Sequence, residues 1–167
     1  MTPFYISQAL VVIAIGFDLM SFQFKDRRKI VACLFFAVSL IASHFYLLEQ
    51  WTATSLMAIA TLRYLASLFS TSAKLKYLFC FASAVSATLT YSGIVSIIGF
   101  LGAFFQTIAA FNEDDKRLRE LMIVGTMLWL VHNYLVGSPT AVMMEALFIS
   151  SNVIGYYRYY YKQSSAN

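Results

Sequence analysis

Apolar runs of similar length alternate with brief polar interruptions along all 167 residues of the chain. Reading between the interruptions gives seven stretches, approximately 4–23, 29–48, 52–70, 75–91, 94–111, 119–136 and 139–160. The dividers read KDRRK, LEQW, STSAKLK, TYSG, FNEDDKRLRE and VGSPT. A helix needs about 20 apolar residues to cross roughly 30 Å of hydrocarbon, with a workable range of about 17–25. All seven stretches fall in that range, so the pattern predicts seven transmembrane helices. Most connections are only a few residues, which makes consecutive helices antiparallel neighbours. The expected fold class is an all-α polytopic membrane protein forming a single membrane domain, 1–167.

Composition strengthens this reading. The chain is 60% hydrophobic and 12% charged, whereas soluble domains run near 45–50% and about 25%. A globular core of this size cannot hide so much apolar surface, so the solvent is a bilayer. The start, MTPFYISQAL, lacks the basic region of a signal peptide, and the first apolar run is expected to remain as a span. Cys33 and Cys80 both lie inside apolar runs, far apart and in no metal spacing, as inert core residues do.

The net charge of +4 raises the question of nucleic acid, which the placement of the charges answers. No basic face with interleaved aromatics exists. Lys25, Arg27, Arg28 and Lys29 lie in the first connection, Lys74 and Lys76 in the third, Lys116, Arg117 and Arg119 in the fifth, and Arg158 and Lys162 near the C-terminus. The second, fourth and sixth connections contain no Lys or Arg. Seven spans put all of this charge on one side, which predicts an outside N-terminus and a cytoplasmic C-terminus. A six-span count would scatter it across both faces. Trp51, Tyr91 and the YYRYYY segment from Tyr156 read as interfacial belts.

The two histidines, His44 and His132, stand 88 positions apart. Sliding the chain by that offset lays HFYLLEQWTA over HNYLVGSPTA, matching Tyr46 with Tyr134, Leu47 with Leu135, Thr52 with Thr140 and Ala53 with Ala141. Asp26 meets Asp114 and Phe17 meets Phe105. The alignment needs no gap and covers spans 1–3 and 5–7. It predicts a 3+1+3 arrangement of two parallel three-helix repeats, 4–70 and 94–160, with 75–91 as an inverting linker helix. That is the plan of the SWEET sugar transporters, whose substrate path lies at the repeat interface.

FKDRRK, SHFYLL and LWLVHNYLVGS, followed by Glu145, Asn152 and Arg158, resemble the YgjV-like family of bacterial inner-membrane proteins over nearly the whole chain. The family pattern of Trp-x-x-His-Asn, a Gly-Ser turn, then Glu and Asn falls on Trp129, His132, Asn133, Gly137, Ser138, Glu145 and Asn152; Gln8, His44 and Arg63 also fit it. The resemblance implies residence in the inner membrane and a topology similar to the SWEET and PQ-loop group. One departure bears on mechanism. Those relatives hinge on a proline within a membrane helix, whereas Pro3 and Pro139 here both lie at span ends, which puts a proline-hinged motion in doubt.

Polar groups inside the spans are the candidate chemistry. An ionisable residue at the bilayer centre costs about 2.5–3.5 kcal/mol and normally faces the bundle interior. At 1.5 Å rise per residue, Glu145 lies roughly 9 Å and His132 roughly 6 Å below the outer ends of spans 7 and 6, close enough in depth for a hydrogen bond. Glu145, His132, Asn152, Asn133, Gln8, His44 and Arg63 are the candidate substrate-binding residues. Each has a structural reading beside the functional one. Glu145 and His132 can clamp helices. Asn152 stands two turns from Glu145 on the same helix face. Gln8 can bond between helices. Arg63 can pair with Asp18 or reach the inner headgroups. Asp18 lies outside the family pattern, and its counterpart at the 88-residue offset is Gln106. Met57 occupies the slot matching Glu145, so a site there is asymmetric. Gly99, Gly102 and Gly125 read as close-packing positions.

No Ser-His-Asp grouping, HExxH zinc spacing or glycine-rich phosphate loop occurs, and the connections are too short for a soluble catalytic domain. An enzyme and a resident cofactor are not expected. The first expectation is a transporter or facilitator of a small polar solute, with lipid as its surroundings and a homo-oligomer as an option. The rival is a partner subunit or sensor whose polar groups serve packing.

Overall fold

The computed structural model describes residues 3–21 and 23–161. The described residues form seven α-helices and no strand: α1 Pro3–Ser21, α2 Arg27–Leu47, α3 Trp51–Phe69, α4 Ala73–Leu89, α5 Ile94–Ala110, α6 Asp115–Leu135 and α7 Pro139–Tyr156. A π-helical turn, Tyr157–Tyr161, continues α7. Lys162, counted above among the basic residues, lies outside the described residues. By length and composition α1, α2 and α3 can each cross a membrane, and α5 is a shorter apolar helix.

Local chemistry sets the helix boundaries. Asp26 accepts from the Arg28 N–H at 2.9 Å and opens α2; Asp114 accepts from the Lys116 N–H at 3.0 Å and opens α6. Both helices therefore begin inside segments whose charge alone reads as loop. Residues 115–118 are helical, a full turn earlier than hydropathy places the start of the sixth span. Pro139 stands in the first turn of α7, where its missing N–H costs nothing.

The two sharpest turns share one geometry. Leu48 N donates to His44 O, Glu49 N to Tyr46 O and Gln50 N to Phe45 O. After α6, Val136 N donates to His132 O, Gly137 N to Tyr134 O and Ser138 N to Asn133 O. Each set matches the other at an offset of 88, and each is the paired hydrogen-bond pattern of a left-handed helix C-cap. That cap needs positive φ, which is 58° at Glu49 and 71° at Gly137. Glycine adopts it freely, whereas a residue with a Cβ is strained there. Glu49→Gly should therefore raise stability by about 1 kcal/mol, while Gly137→Ala should lower it by a similar amount. Thermal unfolding in detergent checks both, with Glu49→Lys as a control that keeps the Cβ and gains nothing.

Six helices close into a ring. α1 packs on α2 and α7, α2 on α3, α3 on α5, α5 on α6 and α6 on α7. α4 lies outside the ring against α3 and α5, and buries only Ser83 and Ala87. The core falls into two layers. Val11, Ile41, Phe45, Leu56, Trp129 and Met144 fill the half beneath the short turns, and Ile30, Leu34, Tyr64, Leu118, Met122 and Phe148 fill the half nearer the basic connections. Large apolar side chains such as Phe36, Leu62, Phe69, Phe81 and Leu89 point outward. In water this would be an aggregating surface; in a bilayer it is the lipid face.

Candidate functional site

A central cavity of about 40 Å³ lies inside the ring. Every ring helix lines it: Asp18 from α1, His44 from α2, Met57 and Tyr64 from α3, Gln106 from α5, Thr126, Trp129 and Asn133 from α6, and Glu145 from α7. Helix α4 contributes nothing to it. Asp18 and Glu145 are 7% and 8% exposed, so two buried carboxylic side chains line one small space.

Of the seven candidates, His44, Asn133 and Glu145 line this cavity. Asn133 Nδ2 donates to Glu145 Oε1 at 3.4 Å. The partner expected from depth was His132, and the structure differs for a geometric reason. Adjacent residues point about 100° apart on a helix. α7 packs on the face of α6 that carries Asn133, and α5 packs on the face that carries His132. His132 Nδ1 accordingly lies 3.0 Å from Val95 O. His44 Nδ1 lies 3.1 Å from Ser7 O. Val95 stands 88 positions after Ser7, so both histidines make the same helix-to-helix tie, and in each the carbonyl must accept from Nδ1–H.

His132 faces a separate, wider depression beneath the short turns, shared with Ser96 and Gln50. Gln8 lies in a second depression and accepts from Thr140 Oγ1 at 2.7 Å, joining α1 to α7. Arg63 neither pairs with Asp18 nor reaches a headgroup. It is fully buried, and its Nη1 donates to Ala103 O at 3.1 Å and Thr107 Oγ1 at 2.8 Å, joining α3 to α5. The only ion pair among the described residues is the exposed Arg117–Glu120 contact at 3.1 Å. Asn152 is buried on the face of Glu145, but its Nδ2 donates to Arg119 O at 3.0 Å, nearer the basic end and off the cavity.

Asp18, which lies outside the family pattern, and Gln106, Thr126 and Tyr64, which are not among the seven candidates, also line the cavity. The usable signal was the offset itself. Asp18 and Gln106 are polar at matching positions in both halves, and both line the cavity. Arg119 gave a misleading signal. Its charge reads as part of a solvated connection, yet it is fully buried and its Nη2 donates to Phe24 O at 2.6 Å.

Small residues bring α5 and α6 close enough to seat these groups. A Cβ on Gly99 would stand 3.2 Å from His132 Nδ1, and one on Gly102 would stand 2.8 Å from the Trp129 ring.

Comparison with known proteins agrees with the outward-facing apolar surface. A family model described as bacterial inner membrane protein, Imp-YgjV, matches residues 5–163. The chain is similar to the inner membrane protein YgjV of Escherichia coli (strain K12), at 24% identity over 163 residues, covering 98% of this chain and 89% of that protein. No solved structure matches.

Proposed function

The chain belongs to the bacterial inner membrane protein family Imp-YgjV, and from that premise we propose that it is a seven-span transporter or facilitator of a small polar solute. Its halves, 4–70 and 94–160, are parallel three-helix repeats about an axis along the membrane normal, with α4 as the inverting linker. The basic connections face the cytoplasm, so the N-terminus is outside.

The observation that carries this reading is a cavity at the centre of the ring, to which both halves contribute three helices, with Asp18, His44, Gln106, Asn133 and Glu145 set among its mostly apolar lining. Its lining pairs positions 88 apart, among them Asp18 with Gln106, Ile41 with Trp129, Phe45 with Asn133 and Met57 with Glu145. A cavity on a pseudo-two-fold axis has this property. The two seams between halves, α1 against α7 and α3 against α5, also exchange under the same operation. Without prolines inside the spans, opening proceeds by rigid rocking of one half against the other at these seams.

A packing role suits several of the polar residues better. Asn152, Arg63 and Arg119 each bond a backbone carbonyl of another segment, and none lines the cavity. Their substitution should lower stability without selectively abolishing uptake.

The test is uptake of a panel of small polar solutes by vesicles containing the purified protein. At least one solute should enter above empty-vesicle levels, and Glu145→Gln should abolish this with an unchanged unfolding temperature. Vesicles that move nothing, with Glu145→Gln altering only the unfolding temperature, would leave the packing reading. Reporter fusions at the two chain ends should fall on opposite sides of the membrane.

A further inference from the structure

The helix starts differ between the two ends of the bundle. At the basic end, Asp26, Ser72 and Asp114 accept from first-turn N–H groups of α2, α4 and α6. At the end that bears the short turns, α3, α5 and α7 have no side-chain cap. Two of these, α3 and α5, open beside one depression of about 400 Å³. Its lining includes Trp51, Thr52 and Ala53 from the first turn of α3, Val95 and Ser96 from that of α5, and His132. The N–H groups of Trp51, Thr52, Ala53, Ile94 and Val95 have no hydrogen-bond partner among the described residues. Helix N-termini combine such free donors with partial positive charge, and they receive carboxylate and phosphate groups.

A buried side chain points to a ligand as well. His132 is 3% exposed and gives its Nδ1–H to Val95 O, so the neutral ring presents Nε2 as an acceptor. That atom has no partner among the described residues and, unlike His44 Nε2, is not closed off from its surroundings. The space that His132 lines is this depression. A ligand that suits both features carries a carboxylate for the helix ends and a donor for the imidazole. Glu49 at the rim decides the charge of that donor. Its exposed carboxylate opposes a simple anion and attracts an ammonium group, and no Lys or Arg lies in the lining.

The second depression is the counterpart at an offset of 88, with Gln8 for Ser96, Ser138 for Gln50, Pro139 for Trp51 and Thr140 for Thr52. It lacks the same capacity. The helices beside it, α1 and α7, both begin with proline, which has no N–H. Gln8 and Thr140 satisfy each other there at 2.7 Å. The donors are therefore kept at one of the two related places.

We propose that the depression between the starts of α3 and α5 binds a small amino acid as its zwitterion. The first-turn N–H groups of the two helices hold the carboxylate. The ammonium group donates to His132 Nε2, and Glu49 at the rim supplies the balancing negative charge. A volume of about 400 Å³ lies within the roughly 300–1,000 Å³ of small-molecule sites. Trp129, which lines the central cavity, meets His132 edge-on at 4.9 Å between ring centroids, so the depression ends one ring away from that cavity. The assignment deepens the transport reading and rests on it for its role, as the outer docking point of the solute. Binding itself is measured separately.

The experiment titrates the detergent-purified full chain with glycine, alanine and serine at neutral pH, following unfolding temperature and calorimetric heat. Acetate, ethylammonium and glycerol serve as comparison ligands, since each carries one charge of the zwitterion or neither. At least one amino acid should bind saturably and more tightly than all three. Trp51→Pro removes one first-turn N–H and should weaken that binding roughly tenfold, whereas Trp51→Ala keeps the N–H and should weaken it less. Proline is compatible with the fold there: Gln50 has φ −86° and ψ 77°, close to the −102° and 88° of Ser138 before Pro139. Glu49→Gln, on an exposed turn, should weaken amino-acid binding severalfold without weakening that of acetate. If Trp51→Pro does not fold, Glu49→Gln carries the test. Absence of saturable amino-acid binding in the unaltered chain overturns the assignment, as does acetate binding equal to that of the amino acids. A loss no greater in folded Trp51→Pro than in Trp51→Ala, or undiminished binding in Glu49→Gln, overturns it too. Amino-acid binding with inert vesicles would sink transport alone. Vesicles that move another solute, with no amino-acid binding, would sink this site alone.

Discussion

Replacing Gly125 with valine should destabilise the protein by about 3 kcal/mol, and alanine should cost about half as much. Gly125 of α6 lies where α5 comes closest. A Cβ there would stand 2.7 Å from Gln106 Cγ, 3.0 Å from Gly102 O and 3.3 Å from Gln106 N. The glutamine side chain can swing aside, but the carbonyl and amide are backbone, so the helices themselves must separate. In lipid that separation is costly, because close packing rather than water exclusion holds helices together. The damage also reaches the cavity, since Gln106, Thr126 and Trp129 all lie on this seam. The corresponding positions in the first half are Ala14 and Ala37, both buried in the core, where methyl groups are accommodated. Their neighbour at the Trp129 slot is the smaller Ile41. Gly16→Ala is the control: nothing lies within 4 Å of its Cβ position, so it should be neutral or slightly stabilising. Denaturant unfolding in mixed micelles measures all three. Equal stability of Gly125→Val and the unaltered chain would show that α5 and α6 are not held at this distance.

The helices were legible because hydropathy and span length state nearly the same thing. Predicted and observed boundaries of α3 and α5 agree within one residue at each end. Two helix starts lie earlier than hydropathy places them, by four residues in α6 and two in α2, and both carry charge. Arg27 and residues 115–118 belong to helices because Asp26 and Asp114 cap them, and a hydropathy window treats every charge as an end. Pairing was harder to read than position. Depth along a helix placed Glu145 beside His132, but rotation about the axis decides contact, and that depends on which neighbour packs on which face. The offset of 88 carried information that single residues did not. It linked Asp18 to Gln106 and matched Glu49 to Gly137, although no local pattern marks either residue of the first pair. Arg63 and Arg119 were opaque for a further reason. A buried arginine that bonds backbone carbonyls looks, in sequence, the same as one that reaches for headgroups.

Arg27→Ala should produce the second large effect, a loss of about 2–3 kcal/mol, together with loosening of one end of the packing between α3 and α5. Arg27 opens α2, yet its guanidinium reaches across to two other helix ends. Nε donates to Asn112 O at 2.8 Å, Nη1 to Ser67 O at 3.0 Å, and Nη2 to Ser67 O at 3.1 Å and to Ala110 O. These carbonyls belong to the last turn of α3 and the end of α5, where no further helical N–H is available. The negative ends of two helix dipoles converge there, and one cation serves both. Alanine leaves these carbonyls without their donor and lets α3 and α5 part at the basic end. Lysine separates charge from shape: it keeps the positive charge but cannot present a planar fork to several acceptors, so it should recover less than half of the loss. Hydrogen exchange distinguishes this from general destabilisation. Amides at the ends of α3 and α5 should exchange faster in Arg27→Ala, while those at the Leu48–Gln50 and Val136–Ser138 turns keep their protection. Uniform acceleration along the chain would mean that Arg27 holds the whole fold rather than one end of a seam. Full recovery by lysine would mean that charge alone, not the fork, joins the two helix ends.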